Sequence, residues 1–332
     1  MSWKSTVRSI GTAVRAAERD AKRRQNELEK REKQYERMQE LEQASYEVEV
    51  YENHIDVIQS LHKECTSPIN WEKIASSKEP RKPKKLNQNE YIAQSEEDNY
   101  KPGFIDRLFK REENTRKKLS ENIKRAIEKD SLEYNLNISK WEEKVKDLKT
   151  SADMAKSLLN GDSKTKLEII ENLDTFSEIS NLGSSLIISI KETGVVEASI
   201  NVHGKDIVPN EIKSLLKSGK LSVKKMPQGK FNELYQDYVC SAVLRIANEL
   251  FSTTLDDAVI VTAVDELLDT KTGHLKESPI LSAYISRNTL KSLNLDTIDP
   301  SDSMENFVHH MSFKKTKGFD VVSRIDSAMM KD

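Results

Sequence analysis

The residues best suited to metal-dependent chemistry are one acid and one acid–lysine pair in the C-terminal half. A nuclease of the PD-(D/E)xK kind places an acid and an E-x-K pair on adjacent strands, so that two carboxylates hold Mg²⁺ while the lysine orients water. Asp206, Glu211 and Lys213 come closest to that pattern. However, Pro209 and the helical pattern after Asn210 place Glu211 at a helix start, where an acid favours the helix dipole. The sequence therefore favours a capping role over catalysis.

Other polar residues could act at a strand end or bind a metal. Asp265 and Glu266 follow an apolar run, and site residues often lie where a buried strand ends. Without a lysine in register, they are predicted to be plain strand-end acids. No two histidines lie with a cysteine at zinc-ligand spacing, and Cys240 adjoins an apolar helix face, which predicts an inert thiol. With no glycine-rich loop before a helix, we expect neither a metal nor a cofactor.

The most unusual feature of the C-terminal half is a cluster of lysines with no acid among them. No acid separates its members, which are Lys213, Lys217, Lys220, Lys224, Lys225 and Lys230. Lysines suit contacts with a phosphate backbone that do not read sequence. The same pattern is typical of a solvated surface, and no aromatic residue interleaves the cluster to stack bases. The formal net charge of -2 argues against a generally basic nucleic-acid binder.

Two long helices are predicted from apolar residues at alternating steps of three and four, which align on one helix face. The first seam is Leu41, Ala44, Val48, Tyr51, Ile55 and Ile58, and the second is Tyr134, Ile138, Trp141, Val145, Leu148, Ala152, Ala155 and Leu159. The matching lengths of the helices predict an antiparallel helical hairpin over residues 1–160. An intermolecular coiled coil would use the same seams.

The segment between the two helices has a different composition. Residues 66–103 hold four prolines, a basic cluster and a polar run, which predict a mobile connection with one short helix around Trp71. The second long helix is predicted to begin at Phe104 and to stop at Asn160 and Gly161.

The N-terminal segment reads as a basic amphipathic helix. Its apolar positions are Trp3, Val7, Ile10, Val14, Ala17 and Ala21, and lysines and arginines crowd its other faces. Such a helix could anchor to anionic lipid or to phosphate, whereas the basic end of a coiled coil would show the same pattern.

After residue 161 the patterns predict a compact α/β domain reaching residue 332. A helix over 165–179 is followed by a β-hairpin at 186–190 and 196–202, a basic helical stretch, and an amphipathic helix from Phe231 to Leu250. Residues 258–264 and 280–285 are apolar on both faces and predict central strands, and residues 304–311 predict one more helix. The predicted fold class is therefore α+β.

The amino-acid composition indicates in which cellular compartment the protein is expected. The chain holds two cysteines, which suits a reducing compartment and excludes a disulfide framework. No apolar run is long enough to span a bilayer, and the N-terminus lacks the apolar block of a secretory signal. We expect a cytoplasmic protein.

One C-terminal segment resembles a known group of proteins. The residues that carry the likeness are Thr272, Gly273 and His274, then Pro279, Ile280, Leu281 and Ser282, then Arg287, Leu290, Leu293, Leu295, Asp299 and Pro300. Over residues 257–306 this stretch is similar to a segment of bacterial restriction-system proteins, which precedes an Mrr-type nuclease domain in that group. The resemblance implies a setting in defence against foreign DNA. The chain ends where that nuclease would begin, so we carry over no catalytic residue.

These observations favour a non-enzymatic coiled-coil scaffold or adaptor of a bacterial antiviral or DNA-restriction complex. It would bind a protein partner or a second copy through its helical seams, and its lysine cluster would bind a phosphate backbone weakly. Two alternatives stay open: a divergent metal-dependent nuclease or nuclease subunit, and a membrane-surface protein anchored by its N-terminal helix.

Overall fold

The computed structural model describes residues 3–102, 112–172, 185–191, 193–269 and 271–330, with the side chains of the first helix described at position 25 and from position 28 onward. The chain divides into two compact units: Met1–Pro68 with Ile169–Asp332, and Ile69–Glu168. We call them the α+β unit and the helical unit. This division differs from the predicted boundary after residue 160, because the first helix packs with the C-terminal half of the chain.

The helical unit contains the segment between the two predicted long helices. Its helices are α2 (Trp71–Ala75), α3 (Gln88–Asp98) and α4 (Glu112–Leu159), and α5 (Ser163–Asn172) begins within it. Helices α2 and α3 both pack on α4. The short helix predicted around Trp71 is confirmed. The rest of the segment 66–103 was predicted as a mobile connection and differs from that prediction, because it contains α3, which packs on α4. The predicted start at Phe104 lies outside the described residues.

The end of α4 follows the predicted stop signal. Gly161 has a φ of 82°, the left-handed conformation that glycine adopts without strain. The N–H of Asp162 donates to the carbonyl of Ser157 at 3.1 Å, which closes the last turn as glycine-ended helices commonly do. The predicted stop is confirmed.

The α+β unit is built on a mixed five-stranded sheet. Its strands are β1 (Ser185–Ile190), β2 (Val196–Asn201), β5 (Ala258–Leu268), β6 (Leu275–Ser286) and β7 (Val308–Met311), in the order β1-β2-β5-β6-β7. Strands β2 and β5 are parallel, and the other neighbouring pairs are antiparallel. The predicted β-hairpin and the two predicted central strands are confirmed.

One face of the sheet is covered by a long helix, α7 (Gln228–Thr253). Alternate residues of β2 and β5 join the buried core with α7, because successive side chains of a strand point to opposite faces. The helix predicted from Phe231 to Leu250 is confirmed. The other face carries Thr262 and Ser282, whose hydroxyls lie 2.9 Å apart, and the N–H of Ile325 donates to Ser282 at 3.0 Å.

Two predicted helices are wrong. The basic stretch forms an antiparallel pair, β3 (Glu211–Leu215) and β4 (Leu221–Lys225), because Gly219, with a φ of 80°, allows a tight turn between them. The segment over 304–311 is a short 3₁₀ turn (Asp302–Asn306) followed by β7, which hydrogen-bonds to β6. The helix predicted over 165–179 is present as α5, and its residues from 173 onward lie outside the described residues.

The first helix, α1 (Trp3–Ser60), is continuous and about 87 Å long, so the predicted N-terminal helix and the predicted first seam lie on one helix. Its last third packs on α7 and on the β3–β4 hairpin, so the seam over residues 41–61 has a partner within its own unit. The seam of α4 lies in the helical unit, and the antiparallel pairing of the two seams stays a prediction. The predicted N-terminal anchor rests on side chains from Trp3 to Ala21, outside those described.

Candidate functional site

Polar contacts hold the last third of α1 against the rest of the α+β unit. Lys213 of β3 forms an ion pair with Glu47 at 3.0 Å, and this hydrogen bond holds the pKa of Glu47 below its ordinary value. Further along, the ring Nε2 of His54 lies 2.8 Å from the carbonyl of Ile207. Such directional contacts set the register of a helix on its support.

The residues that follow α1 are also held against α7, through contacts with buried polar groups. His62 lies in the 3₁₀ turn Leu61–Lys63, and its Nδ1 is 2.8 Å from the hydroxyl of Ser241 on α7. Burial lowers the pKa of His62, which favours the neutral ring. The N–H of Thr66 donates to Glu249 at 3.1 Å. Buried polar groups are stable only when paired, so these contacts specify one docked position.

The predicted nuclease residues do not form a metal site. Asp206 is exposed in a one-turn helix, α6 (Gly204–Ile207), and not on a strand beside β3. Glu211 opens β3 opposite Lys225. Lys213 is engaged by Glu47. The predicted helix start at Glu211 is wrong. Within the described ranges no group of three acidic, histidine or cysteine side chains could hold a metal ion.

We expect the purified protein to leave linear, supercoiled and single-stranded DNA intact in Mg²⁺ or Mn²⁺. The reason is that Glu211 and Lys213 lack a second carboxylate on a neighbouring strand. Gel assays should show no product above the level of a Glu211→Ala/Lys213→Ala double variant. Cleavage by the wild-type chain that disappears in the double variant would restore the nuclease alternative.

The structure spreads the predicted lysine cluster over a hairpin and a helix start. Lys217 and Lys220 lie at the tip of β3–β4, Lys224 and Lys225 point to opposite faces of β4, and Lys230 lies in the first turn of α7. All five are exposed and form no ion pair with the described residues, whereas Lys213 is paired. The cluster is therefore a solvated projection whose charges face several directions.

Asp265, predicted to be a plain strand-end acid, is buried and pairs with Tyr235. It accepts a hydrogen bond from the hydroxyl of Tyr235 on α7, and burial raises the pKa of that tyrosine above its ordinary range. The helical spacing of Tyr235 gave no sign of this pairing. Cys240 is fully buried, and burial raises the pKa of its thiol, which agrees with the predicted inert role.

Helix α1 carries a second apolar row, which the three-and-four spacing of its seam did not indicate. Leu28, Tyr35, Tyr46 and Val50 fall within an arc of about 60° at 100° per residue, on the side opposite the docked seam. Their exposed fractions are 59%, 60%, 62% and 49%. Large apolar side chains aligned on one exposed face often mark an interaction surface. We call these four residues the outer row.

No family model, curated protein or solved structure matches this chain significantly. None of the helices in the described part of the chain is long and apolar enough to cross a bilayer.

Some residues that carry the resemblance have structural roles in this chain. Arg287 donates to the carbonyls of Phe251, Thr254 and Asp256 around the C-terminus of α7, where a cation is favourable. Gly273 has a φ of 75° in the turn between β5 and β6.

Proposed function

We propose that this chain is a non-enzymatic scaffold that presents α1 to a partner helix. The observation that carries the proposal is the opposition of two apolar faces on α1. The seam over residues 41–61 is covered within the α+β unit, and Tyr46 and Val50 are exposed on the opposite side of α1. Leu28 and Tyr35 extend the outer row onto residues 28–40, which are all exposed. A helix fixed on one side and apolar on the other is suited to support a second helix.

Charge favours the same helix of a second copy, in antiparallel orientation. Residues 22–37 hold seven lysines and arginines against four glutamates, while residues 38–53 hold five glutamates and no basic residue. Antiparallel pairing sets the basic half of one helix against the acidic half of the other, and parallel pairing sets like charges together. The contact would be self-complementary, as two-fold interfaces are.

The mass of the protein in solution tests this proposal. We expect the 38.0 kDa chain to double in mass between about 1 and 100 µM. Leu28→Ser/Tyr35→Ser/Tyr46→Ser should raise the dissociation constant on the order of 10⁴-fold, because both copies carry the change and each of the six residues would lose about 1 kcal/mol of apolar burial. Arg37→Ser/Glu40→Ser is a charge-neutral control on the other side of the helix and should behave as wild type.

Cross-linking tests the orientation. In a Cys65→Ser background, a mixture of Leu28→Cys and Val50→Cys chains should form a mixed disulfide, whereas either variant alone should form far less. A wild-type chain that stays monomeric at about 100 µM, or equal dissociation constants for the row and control variants, would rule out the second copy as the partner.

The wider setting rests on the resemblance over residues 257–306. It supports a place in a bacterial anti-phage or DNA-restriction complex. The chain has only two cysteines, which suits a reducing compartment and supports a cytoplasmic location. The predicted pairing of the two seams is left out of the proposal, because the seam over residues 41–61 is covered within its own unit. Weak phosphate binding by the lysine cluster remains part of it.

A further inference from the structure

A second basic feature lies in the helical unit, in the segment between α2 and α3. Arg81, Lys82, Lys84 and Lys85 are all exposed, and no acid occurs from residue 80 to residue 89. Among the described residues, none of the four forms an ion pair within 4.0 Å. We call residues 81–85 the basic loop.

The start of the basic loop is fastened to α4. The indole N–H of Trp141 donates to the carbonyl of Pro80 at 2.9 Å, and the ammonium of Lys82 lies 5.6 Å from the centre of the same ring. Glu79 forms an ion pair with Lys149 at 3.0 Å. The acid closest in sequence to the loop is therefore already neutralised, and the main chain is fixed at this point.

The other end is fastened by Asp130, a buried acid of α4. Its carboxylate accepts from the N–H of Asn89 at 3.2 Å and from the N–H of Glu90 at 2.9 Å, which caps the start of α3. A second acid near the loop is thus satisfied by backbone donors. None of the four cations forms an ion pair with either carboxylate, although the charge of Lys85 acts on Asp130 and Lys82 lies over Trp141.

The backbone of the loop is stiffened by its own sequence. Pro80 and Pro83 fix their φ angles, and each disfavours helix in the residue before it. Residues 77–87 accordingly contain neither helix nor strand. A stiff loop loses little conformational entropy when a ligand binds, which increases the affinity of the same contacts.

The geometry points to the basic loop as a binding site for the phosphate backbone of a nucleic acid. Five residues span at most about 16 Å, and one strand of a duplex carries a phosphate about every 3.4 Å of helix axis, so four cations can face about four phosphates. In contrast to the lysines of the β3–β4 hairpin, these cations occur in one short segment anchored at both ends. The contact would hold nucleic acid without reading its sequence.

This inference goes beyond the scaffold function and is tested with a labelled duplex of mixed sequence, about 20 base pairs long, by fluorescence anisotropy. The wild-type chain should bind at about 0.05 M salt and lose on the order of 100-fold in affinity by about 0.2 M, as four phosphate contacts require. Arg81→Glu/Lys84→Glu/Lys85→Glu should abolish most of this binding and reduce the salt slope by about 3. Lys82 is left intact because it covers Trp141.

Two matched triple variants serve as controls. Lys117→Glu/Lys118→Glu/Lys124→Glu makes the same charge change on exposed positions of α4, and Lys217→Glu/Lys220→Glu/Lys224→Glu makes it on the β3–β4 hairpin. Both should retain binding within a few-fold of wild type. An equal loss in any control, no salt-dependent binding at about 0.05 M, or retention only by vesicles containing phosphatidylserine would overturn the inference. Because the basic-loop variant should keep the wild-type self-association, failure here is distinguishable from failure of the scaffold proposal.

Discussion

Replacing Ile58 with aspartate is expected to abolish cooperative folding of the α+β unit. Ile58 is the fully buried member of the α1 seam and belongs to the same core cluster as Tyr238 and Ala242 of α7. The change removes about 1.5–3 kcal/mol of apolar burial and places a carboxylate where no water reaches it, which adds several kcal/mol. Single domains are stable by only about 5–15 kcal/mol, so the loss is a large fraction of the total.

Urea unfolding followed by circular dichroism measures the effect, with hydrogen exchange reporting on α7 and β5. Ile58→Ala should give a graded loss of about 2–5 kcal/mol. Asn53→Asp adds the same charge at an exposed position on α1 and should change stability by less than about 0.5 kcal/mol. If Ile58→Asp kept the wild-type midpoint and the protection of α7, α1 would not belong to the core.

The spacing of apolar residues predicted correctly those helices and strands in which the apolar positions are also the buried ones. In β5, Val259, Val261 and Ala263 enter the core beside α7, and the opposite face is also covered, so residues 258–264 are apolar except for Thr262. In α7 the spacing of apolar residues is helical over its whole length. Such elements are predictable because burial selects residue type at every position.

Periodicity could not identify what covers a face. The seam from Leu41 to Ile58 predicted a buried stripe, and most of its residues are at least partly buried, but its support is α7 and β3–β4. A stripe of apolar residues specifies the size of its partner and not the partner's place in the chain. The predicted domain boundary depended on that choice of partner.

Short polar strands are the other element that the sequence concealed. Lysine is a good helix former, and strands of five residues offer too few positions for alternation to be recognised. The hairpin is fixed by long-range contacts: Lys213 pairs with Glu47, and Gly219 lies close to Leu41. The basic loop was visible as a run of cations, but its anchoring by Trp141 and Asp130 required the structure.

Replacing Glu249, a buried acid on α7, is expected to cause the second large loss of stability. Glu249 is fully buried, its carboxylate lies 2.9 Å from Nε of Arg245, and it accepts hydrogen bonds from both the N–H and the hydroxyl of Thr66. Glu249→Ala leaves a buried guanidinium without its carboxylate, which costs about 3–5 kcal/mol. The same change removes the acceptor that fixes the chain just after α1, so the amide of Thr66 should lose its protection from hydrogen exchange.

A double replacement separates the loss of the ion pair from the loss of packing. Arg245→Met/Glu249→Leu replaces the pair with apolar side chains of similar size and should recover most of the stability, because desolvating two charges offsets much of their attraction. Glu233→Ala removes an acid of an exposed pair on the same helix and should cost at most about 1 kcal/mol. Urea midpoints at neutral pH measure all four proteins. A double variant as unstable as Glu249→Ala would mean that packing, and not the loss of the ion pair with Arg245, accounts for the lower stability. Exchange at Thr66 would then report only the missing acceptor.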